Sequence, residues 1–151
     1  MIAASLSQRI AEAMKAHDGV RLSTLRLLSS AFNYERIEKQ HELTQEEEIA
    51  VVRREAKKRK DAIEAYGRVA DKGDVVSRVA KEKEELAILQ EFLPAEMSDE
   101  ELTKIVEEAI AQTNAAAISD MGRVIGVVMG KTKGNVEGGR VSAIVKAKLG
   151  Q

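Results

Sequence analysis

Apolar residues recur along this chain every three or four positions, the spacing that places side chains on one face of an α-helix. The first such stretch opens at Ser5, where Gln8 completes the pattern of a capping box. Its predicted inward residues are Leu6, Ile10, Ala13 and Met14. Asp18 and Gly19 interrupt the pattern, and a second helix is predicted to follow and to end near Gln40. Its predicted inward residues are Leu22, Leu25, Leu28 and Phe32.

Two longer patterns predict a third and a fourth helix. Thr44 and Glu47 form a second capping box, and the helix that they open has a heptad of apolar residues broken only by Arg59. Such a heptad favours packing against an antiparallel neighbour. Its members are Ile49, Val52, Ala56, Ile63, Tyr66 and Ala70. A turn at Lys72-Gly73-Asp74 follows, with Asp74 as the expected cap of the fourth helix. The predicted inward residues of that helix are Val79, Leu86, Leu89 and Leu93.

Pro94, the single proline, is predicted to end the fourth helix because the residue before a proline is disfavoured in the α region. We expect it to separate an N-terminal subdomain of about four helices, residues 1–94, from a compact C-terminal subdomain of three helices, residues 95–151. The predicted fold class is therefore all-α.

The C-terminal subdomain has its own start signals. Ser98 and Glu101 form a capping box, and Met97 and Leu102 flank it as a hydrophobic staple. The next helix is predicted to start at Ser119-Asp120, and a flexible, glycine-rich loop over residues 131–139 leads to the last helix. The predicted inward residues of the three helices are Leu102, Ile105, Val106, Ala109, Ile110, Met121, Val124, Ile125, Val128, Met129, Val141, Ile144, Val145 and Leu149.

Composition agrees with a helical fold and removes several kinds of chemistry. Hydrophobic residues make up 44% of the chain and aromatic residues only 3%, with no cysteine. Disulfides and cysteine-ligated zinc are therefore excluded. His17 and His41 are far apart and lack a partner four residues on, so we expect surface histidines, no metal site and no cofactor. Without a signal peptide or an apolar span, the expected location is the cytoplasm, with no membrane contact.

The near-neutral net charge of −1 conceals a local asymmetry. Residues 94–120 hold seven acids and one base, a net charge of −6, and residues 121–151 hold six bases and one acid, a net charge of +5. The basic end predicts an acidic partner, and free N–H groups at a helix start favour anions. The candidate binding residues are Arg123, Lys131, Lys133, Gly134, Arg140, Lys146 and Lys148.

A second basic run lies in the predicted third helix. Its candidates are Arg53, Arg54, Lys57 and Lys58. The alternative is a solvated helix face with ion pairs such as Glu55–Arg59 and Lys60–Glu64, which we favour because charge runs on helices are usually solvated.

Gly122, Gly126 and Gly130 recur every four residues on one side of the sixth helix. Close approach of a neighbouring helix is the favoured explanation, with Gly130 as a helix-ending glycine, and close approach of an RNA backbone is the alternative. A phosphate-binding P-loop over residues 126–132 is not supported, because Ile125 stands where its first glycine belongs. No other arrangement of catalytic residues is present.

The same C-terminal residues carry a family resemblance. The segments Asp120-Met-Gly-Arg-Val-Ile-Gly-Val-Val-Met-Gly-Lys131, Lys133-Gly134 and Val141-Ser-Ala-Ile-Val-Lys146 resemble the end of the GatB/YqeY family. That family includes stand-alone YqeY-like proteins and the tail of the B subunit of aspartyl/glutamyl-tRNA amidotransferase. Three earlier segments, over residues 21–28, 57–64 and 83–94, resemble the stand-alone branch.

The resemblance implies an all-α fold and a tail that contacts the body of tRNA, which makes the C-terminal candidates expected RNA contacts. Asn135 departs from the family pattern, which often has a basic residue there, and this weakens the loop as a phosphate clamp. The family also carries the description of a carbon–nitrogen ligase with glutamine as amide donor. That reaction needs ATP and a glutaminase, and the sequence shows neither site, so we interpret the activity as that of the larger enzyme.

Three functions remain open on this reasoning. The leading hypothesis is a tRNA-binding accessory protein. The second is a protein–protein adaptor that uses its helices as a docking surface and has no RNA role. The third is a component that joins amidotransferase subunits or other translation-related proteins.

Overall fold

The computed structural model describes residues 1–69 and 73–150. Every regular element over these residues is helical, which confirms the predicted all-α class. The chain divides into two compact units, Met1–Leu93 and Pro94–Gln151. The first contains α1 (Ile2–Lys15), α2 (Gly19–Lys39), α3 (Gln45–Gly67) and α4 (Gly73–Gln90). The second contains α5 (Asp99–Thr113), a short 3₁₀ helix (Ile118–Asp120), α6 (Met121–Lys131) and α7 (Gly138–Leu149).

The core of the N-terminal unit lies around α2, which packs against each of the other three helices. Its predicted inward residues are buried or packed against the core, and the helix ends next to Gln40 as predicted, with Gln40 itself in the left-handed conformation. The prediction for Met14 is wrong, because this side chain is 51% exposed. Ile49, Ile63 and Val79 are only half-buried. The core takes Val51, Ile88 and two glutamates in their place, so the heptad of α3 identifies only part of its buried face.

The start of α1 differs from the prediction for a physical reason. The helix begins at Ile2, and the Ser5 hydroxyl donates to the Ile2 carbonyl instead of capping the helix. The carboxylate of Glu48, a fully buried residue of α3, accepts the backbone N–H of Ile2 at 2.6 Å and that of Ala3 at 3.3 Å. A carboxylate from another helix therefore caps α1, which the local sequence could not reveal.

Arg59, the residue that breaks the heptad, lies between α3 and α4. Its Nε is 2.8 Å from the Glu85 carboxylate and 3.7 Å from that of Glu82, and its guanidinium is 3.6 Å from Glu55. The Arg59 and Glu85 side chains are both largely buried. The contact between α3 and α4 thus contains an ion-pair network at Arg59, the position where the heptad predicts an apolar residue.

The boundaries of α3 and α4 also differ in detail. Ala70 and Lys72, two residues of the predicted helix end and turn, lie outside the described residues. Asp74 is inside the first turn of α4 and is not its cap. The helix ends at Gln90, before the position that Pro94 predicts, and a turn closes it as the Leu93 N–H donates to the Gln90 carbonyl.

The C-terminal unit follows the predicted pattern closely. The capping box of Ser98 and Glu101 is present, and Met97 packs against the same core that buries Leu102. Every predicted inward residue of α5, α6 and α7 is either buried or packed against this core. The start of α6 differs from the prediction, since Ser119 and Asp120 form a 3₁₀ turn and the α-helix begins at Met121.

Candidate nucleic-acid interface

The glycine side of α6 is open to solvent. A Cβ atom added at Gly122, Gly126 or Gly130 would meet nothing within 4 Å, and all three residues are exposed. The predicted close approach of a neighbouring helix is therefore wrong. The two fully buried residues of α6, Val124 and Val128, lie on the side of the helix opposite the glycines, so the glycine backbone stays accessible.

The end of α6 is held by backbone geometry. Lys133 and Gly134 have φ angles of 50° and 66°, in the left-handed region, and Gly130 is inside the helix and does not end it. The Gly134 N–H donates to the Met129 carbonyl at 2.9 Å. Left-handed residues after a helix satisfy its last carbonyls, and few residues other than glycine adopt this conformation.

The loop after α6 is anchored from inside. The Thr132 side chain is buried, and its hydroxyl donates to the Val128 carbonyl at 2.9 Å. Val136 is buried in the core of the unit. The glycine-rich stretch, which its composition predicts to be flexible, is therefore held to the unit at two points.

The start of α7 carries no side-chain cap. Glu137 is the N-cap residue, but its carboxylate does not bond to the first N–H groups of the helix. Gly138 and Gly139, the first two residues of α7, are exposed. Uncapped N–H groups at a helix start favour an anion, and the adjacent Glu137 carboxylate opposes one.

Three of the predicted cations pair with the acids of α5 or of the segment before it. Arg140 is 2.6 Å from Asp99, donates to the Met97 carbonyl at 2.9 Å, and has its pKa raised mainly by the bond to Asp99. Lys148 lies 2.7 Å from Glu107, and Lys131 lies 3.4 Å from Glu108. The net charges of −6 and +5 therefore compensate each other in part within this unit. The abrupt change of sign along the sequence was the signal for this pairing, and our sequence reasoning missed it.

The remaining cations have different surroundings. Arg123 is 2.5 Å from Asp120, whose carboxylate also accepts the N–H groups of Ala116 and Ala117. The Ala116 N–H, and next the Arg123 guanidinium, lower the pKa of Asp120. Lys146 is exposed and forms no ion pair with any other residue that the structure describes, and Lys133 is also exposed.

Most of the positive charges in the basic run of α3 are paired with acidic side chains. Arg54 is 2.5 Å from Glu35, Lys57 is 3.0 Å from Asp61, and Lys58 is 2.6 Å from Glu55. The predicted Glu55–Arg59 pair is confirmed. Arg53 is partly buried, and burial lowers its pKa. The pairing supports the interpretation of this run as a solvated helix face.

The histidines, possible metal sites and possible membrane spans were the remaining questions from the sequence. His17 and His41 lie just after α1 and α2, on the surface as predicted. Over residues 1–69 and 73–150, no three His, Asp or Glu side chains are grouped so that they could hold a metal ion. No helix in this part of the chain is long and apolar enough to cross a membrane.

Comparison with known proteins places the chain by its family. A search of curated proteins finds no significant match. The family model described as Yqey-like protein matches residues 3–149, which is nearly the whole chain and includes both units. The earlier segments and the C-terminal segments that carry the resemblance all lie within this range. The chain therefore belongs to the YqeY-like protein family.

Proposed function

We propose that this protein is a tRNA-binding accessory protein that contacts the RNA backbone through the glycine side of α6 and the loop that follows it. The observation that carries the proposal is the open row of Gly122, Gly126 and Gly130, which has no packing role in the unit. Arg123 borders this row, and Lys133 and Gly134 follow it in the left-handed conformation.

The physical argument concerns distance. A helix side without Cβ atoms lets a phosphate–sugar backbone come closer than any other helix surface, and nearby cations then act at short range. The internal helix packing that competed with this explanation is absent. The family similarity also supports RNA binding, because the related amidotransferase tail is expected to contact tRNA.

The ion pairs of α5 limit the strength of this binding. Because Lys131, Arg140 and Lys148 hold α6 and α7 to the acids of α5, we assign the phosphate contacts to the other three cations, Arg123 and Lys133 beside the glycine row and Lys146, which forms no ion pair with a described residue. With about three phosphates neutralised, affinity for bulk tRNA should fall roughly 20- to 40-fold between 50 and 200 mM salt. The chain itself supplies RNA contact, and carbon–nitrogen ligase chemistry stays with the amidotransferase in this proposal.

The sharpest test adds bulk to the glycine side. Gly126→Leu places a side chain where nothing lies within 4 Å, so the fold should tolerate it. Replacing a helix glycine should leave stability unchanged or raise it by about 0.5–1 kcal/mol. Affinity for tRNA, measured by fluorescence anisotropy at 50 mM salt, should fall at least about tenfold, which corresponds to roughly 1.4 kcal/mol. Gly67→Leu, at an equally open glycine of α3, is the matched control and should not change binding.

A charge test separates the two basic regions. Reversing Lys133 and Lys146 together should weaken binding and flatten its salt dependence, because two phosphate contacts are lost. Reversing Lys57 and Lys58, which pair with Asp61 and Glu55 of α3, should have the smaller effect, because the proposed phosphate contacts lie in the C-terminal unit.

Three results would count against the proposal or against the site that it assigns. Unchanged binding by Gly126→Leu would remove the glycine side from the interface. A wild-type protein that shows no salt-sensitive binding of tRNA at 50 mM salt would overturn the RNA function itself. A dominant effect of the Lys57 and Lys58 reversal would keep the RNA function and move it to the other unit.

A further inference from the structure

One side of α2 carries large apolar side chains in solvent. Leu27 is 53% exposed, Tyr34 is 76% exposed and Ile37 is 69% exposed. Ser30 is also exposed, and the four residues follow one another at intervals of three, four and three positions. This spacing places them in one stripe along the helix, which we call the α2 stripe.

The α2 stripe is symmetric about position 32. Leu27 and Ile37 lie five positions on either side of this point, and Ser30 and Tyr34 lie two positions on either side. In a two-fold interface, residue i contacts residue j of the second copy while j contacts i. Two antiparallel α2 helices would therefore set Leu27 against Ile37 and the large Tyr34 against the small Ser30, so each large side chain faces a suitable partner.

The charges next to the α2 stripe have the same symmetry. Arg26 and Glu38 lie six positions on either side of position 32, and both are exposed. Arg26 donates to the Met14 sulfur at 3.8 Å, and neither Arg26 nor Glu38 forms an ion pair with another described residue. In an antiparallel pair, Arg26 of one copy lies at the same height along the helix axis as Glu38 of the other copy, and this happens at both ends of the interface. In a parallel pair, Arg26 would lie at the height of the second Arg26, and Glu38 at the height of the second Glu38.

We propose that two copies of this chain associate through the α2 stripe as an antiparallel two-fold pair. The proposal concerns α2 alone and does not depend on binding of tRNA. The contact of one helix with its copy is smaller than the standard interface of roughly 1,600 Å², so the association should be weak and visible at protein concentrations of roughly 0.1–1 mM.

Sedimentation equilibrium over that concentration range tests the association. The wild type should show a monomer–dimer equilibrium. Leu27→Lys and Ile37→Lys should each shift it toward the monomer by at least about tenfold in dissociation constant, because a charge then enters an apolar contact twice per dimer. Val76→Lys is the matched control, since Val76 is 57% exposed on α4, and it should leave the equilibrium unchanged. A wild type that remains monomeric at 1 mM overturns the proposal, as does a dimer that Val76→Lys weakens as much as Leu27→Lys.

Charge exchange tests the direction of the pair. Arg26→Glu and Glu38→Arg should each weaken the dimer, because like charges then come level, and the double variant should restore it. If neither single variant weakens the dimer, the two helices are not antiparallel.

Crosslinking tests the register and benefits from a chain without cysteine. In the proposed pair the two copies of Ser30 are about 6 Å apart along the helix axis, whereas the two copies of Ser23 are about 27 Å apart. A short bifunctional maleimide should therefore join Ser30→Cys into a covalent dimer and leave Ser23→Cys monomeric. Equal crosslinking at both positions would overturn the antiparallel arrangement.

Discussion

Removal of the Glu48 carboxylate is the most informative perturbation of the N-terminal unit. This side chain is fully buried and caps α1 by accepting the N–H groups of Ile2 and Ala3. In Glu48→Ala both donors lose their partner at the start of a helix. A hydrogen bond to a charged group contributes about 1.5–3 kcal/mol, and a lost helix cap costs about 0.5–2 kcal/mol. We expect the free energy of unfolding of this unit to fall by about 3 kcal/mol.

The assay can report on the N-terminal unit alone. The chain has two tyrosines and no tryptophan, and both Tyr34 and Tyr66 lie in this unit. Urea unfolding followed by tyrosine fluorescence therefore avoids mixing the transitions of two units. Hydrogen exchange at the Ile2 and Ala3 amides gives a local measurement, and both should exchange faster in the variant.

Two further variants make the result specific. Glu48→Gln keeps an oxygen acceptor without the charge. It should lower the free energy of unfolding by about half as much as Glu48→Ala does. Glu46→Ala removes an exposed carboxylate from the same first turn of α3, and the loss of such a surface charge should cost no more than about 1 kcal/mol. If Glu48→Ala costs no more than Glu46→Ala, the carboxylate does not cap α1 and our account of this contact is refuted.

Other predictions follow from single contacts. The pKa of Glu47 should be about 2 in an NMR titration, and Lys39→Met should raise it only in part, because the Thr44 backbone N–H is the largest cause of the shift. Since that pKa lies below its ordinary value of 4.5, the stability that Glu47 adds is present above pH 4.5 and is lost as the pH falls toward 2. Ser98→Ala should cost about 1 kcal/mol in thermal unfolding of the C-terminal unit, and an unchanged midpoint would place the start of α5 elsewhere. Arg59→Ala should destabilise the N-terminal unit by about 3–5 kcal/mol in urea unfolding, because Glu85 is left buried without its cation, and a loss below about 1 kcal/mol would contradict this network.

Local signals carried most of the predictions that the structure confirms. The capping boxes at Thr44 and Ser98 depend on a side chain and a backbone N–H three residues apart, so the sequence contains both partners. The apolar stripes of α5, α6 and α7 match the core because this unit is small and each helix buries one narrow face. The family resemblance in the C-terminal segments likewise needed only the order of residues.

The errors have a common origin in contacts between distant parts of the chain. Ser5 has the sequence of a cap, yet α1 begins earlier because a carboxylate 46 residues away in sequence from Ile2 reaches its first N–H. Met14 has the right spacing for the core, but its side chain lies at the edge of α1, about half exposed, where its sulfur accepts from Arg26 of α2.

The candidate interface shows the same division. The sequence by itself determined the helices, the capping boxes at Thr44 and Ser98, the three glycines and the number of cations. Only the tertiary structure decided that the glycine side of α6 is open and that Arg140 and Lys148 pair with α5. The physical reason is that helix propensity and capping act over a few residues, whereas burial and charge compensation depend on which helix faces which, and the packing of whole helices sets that.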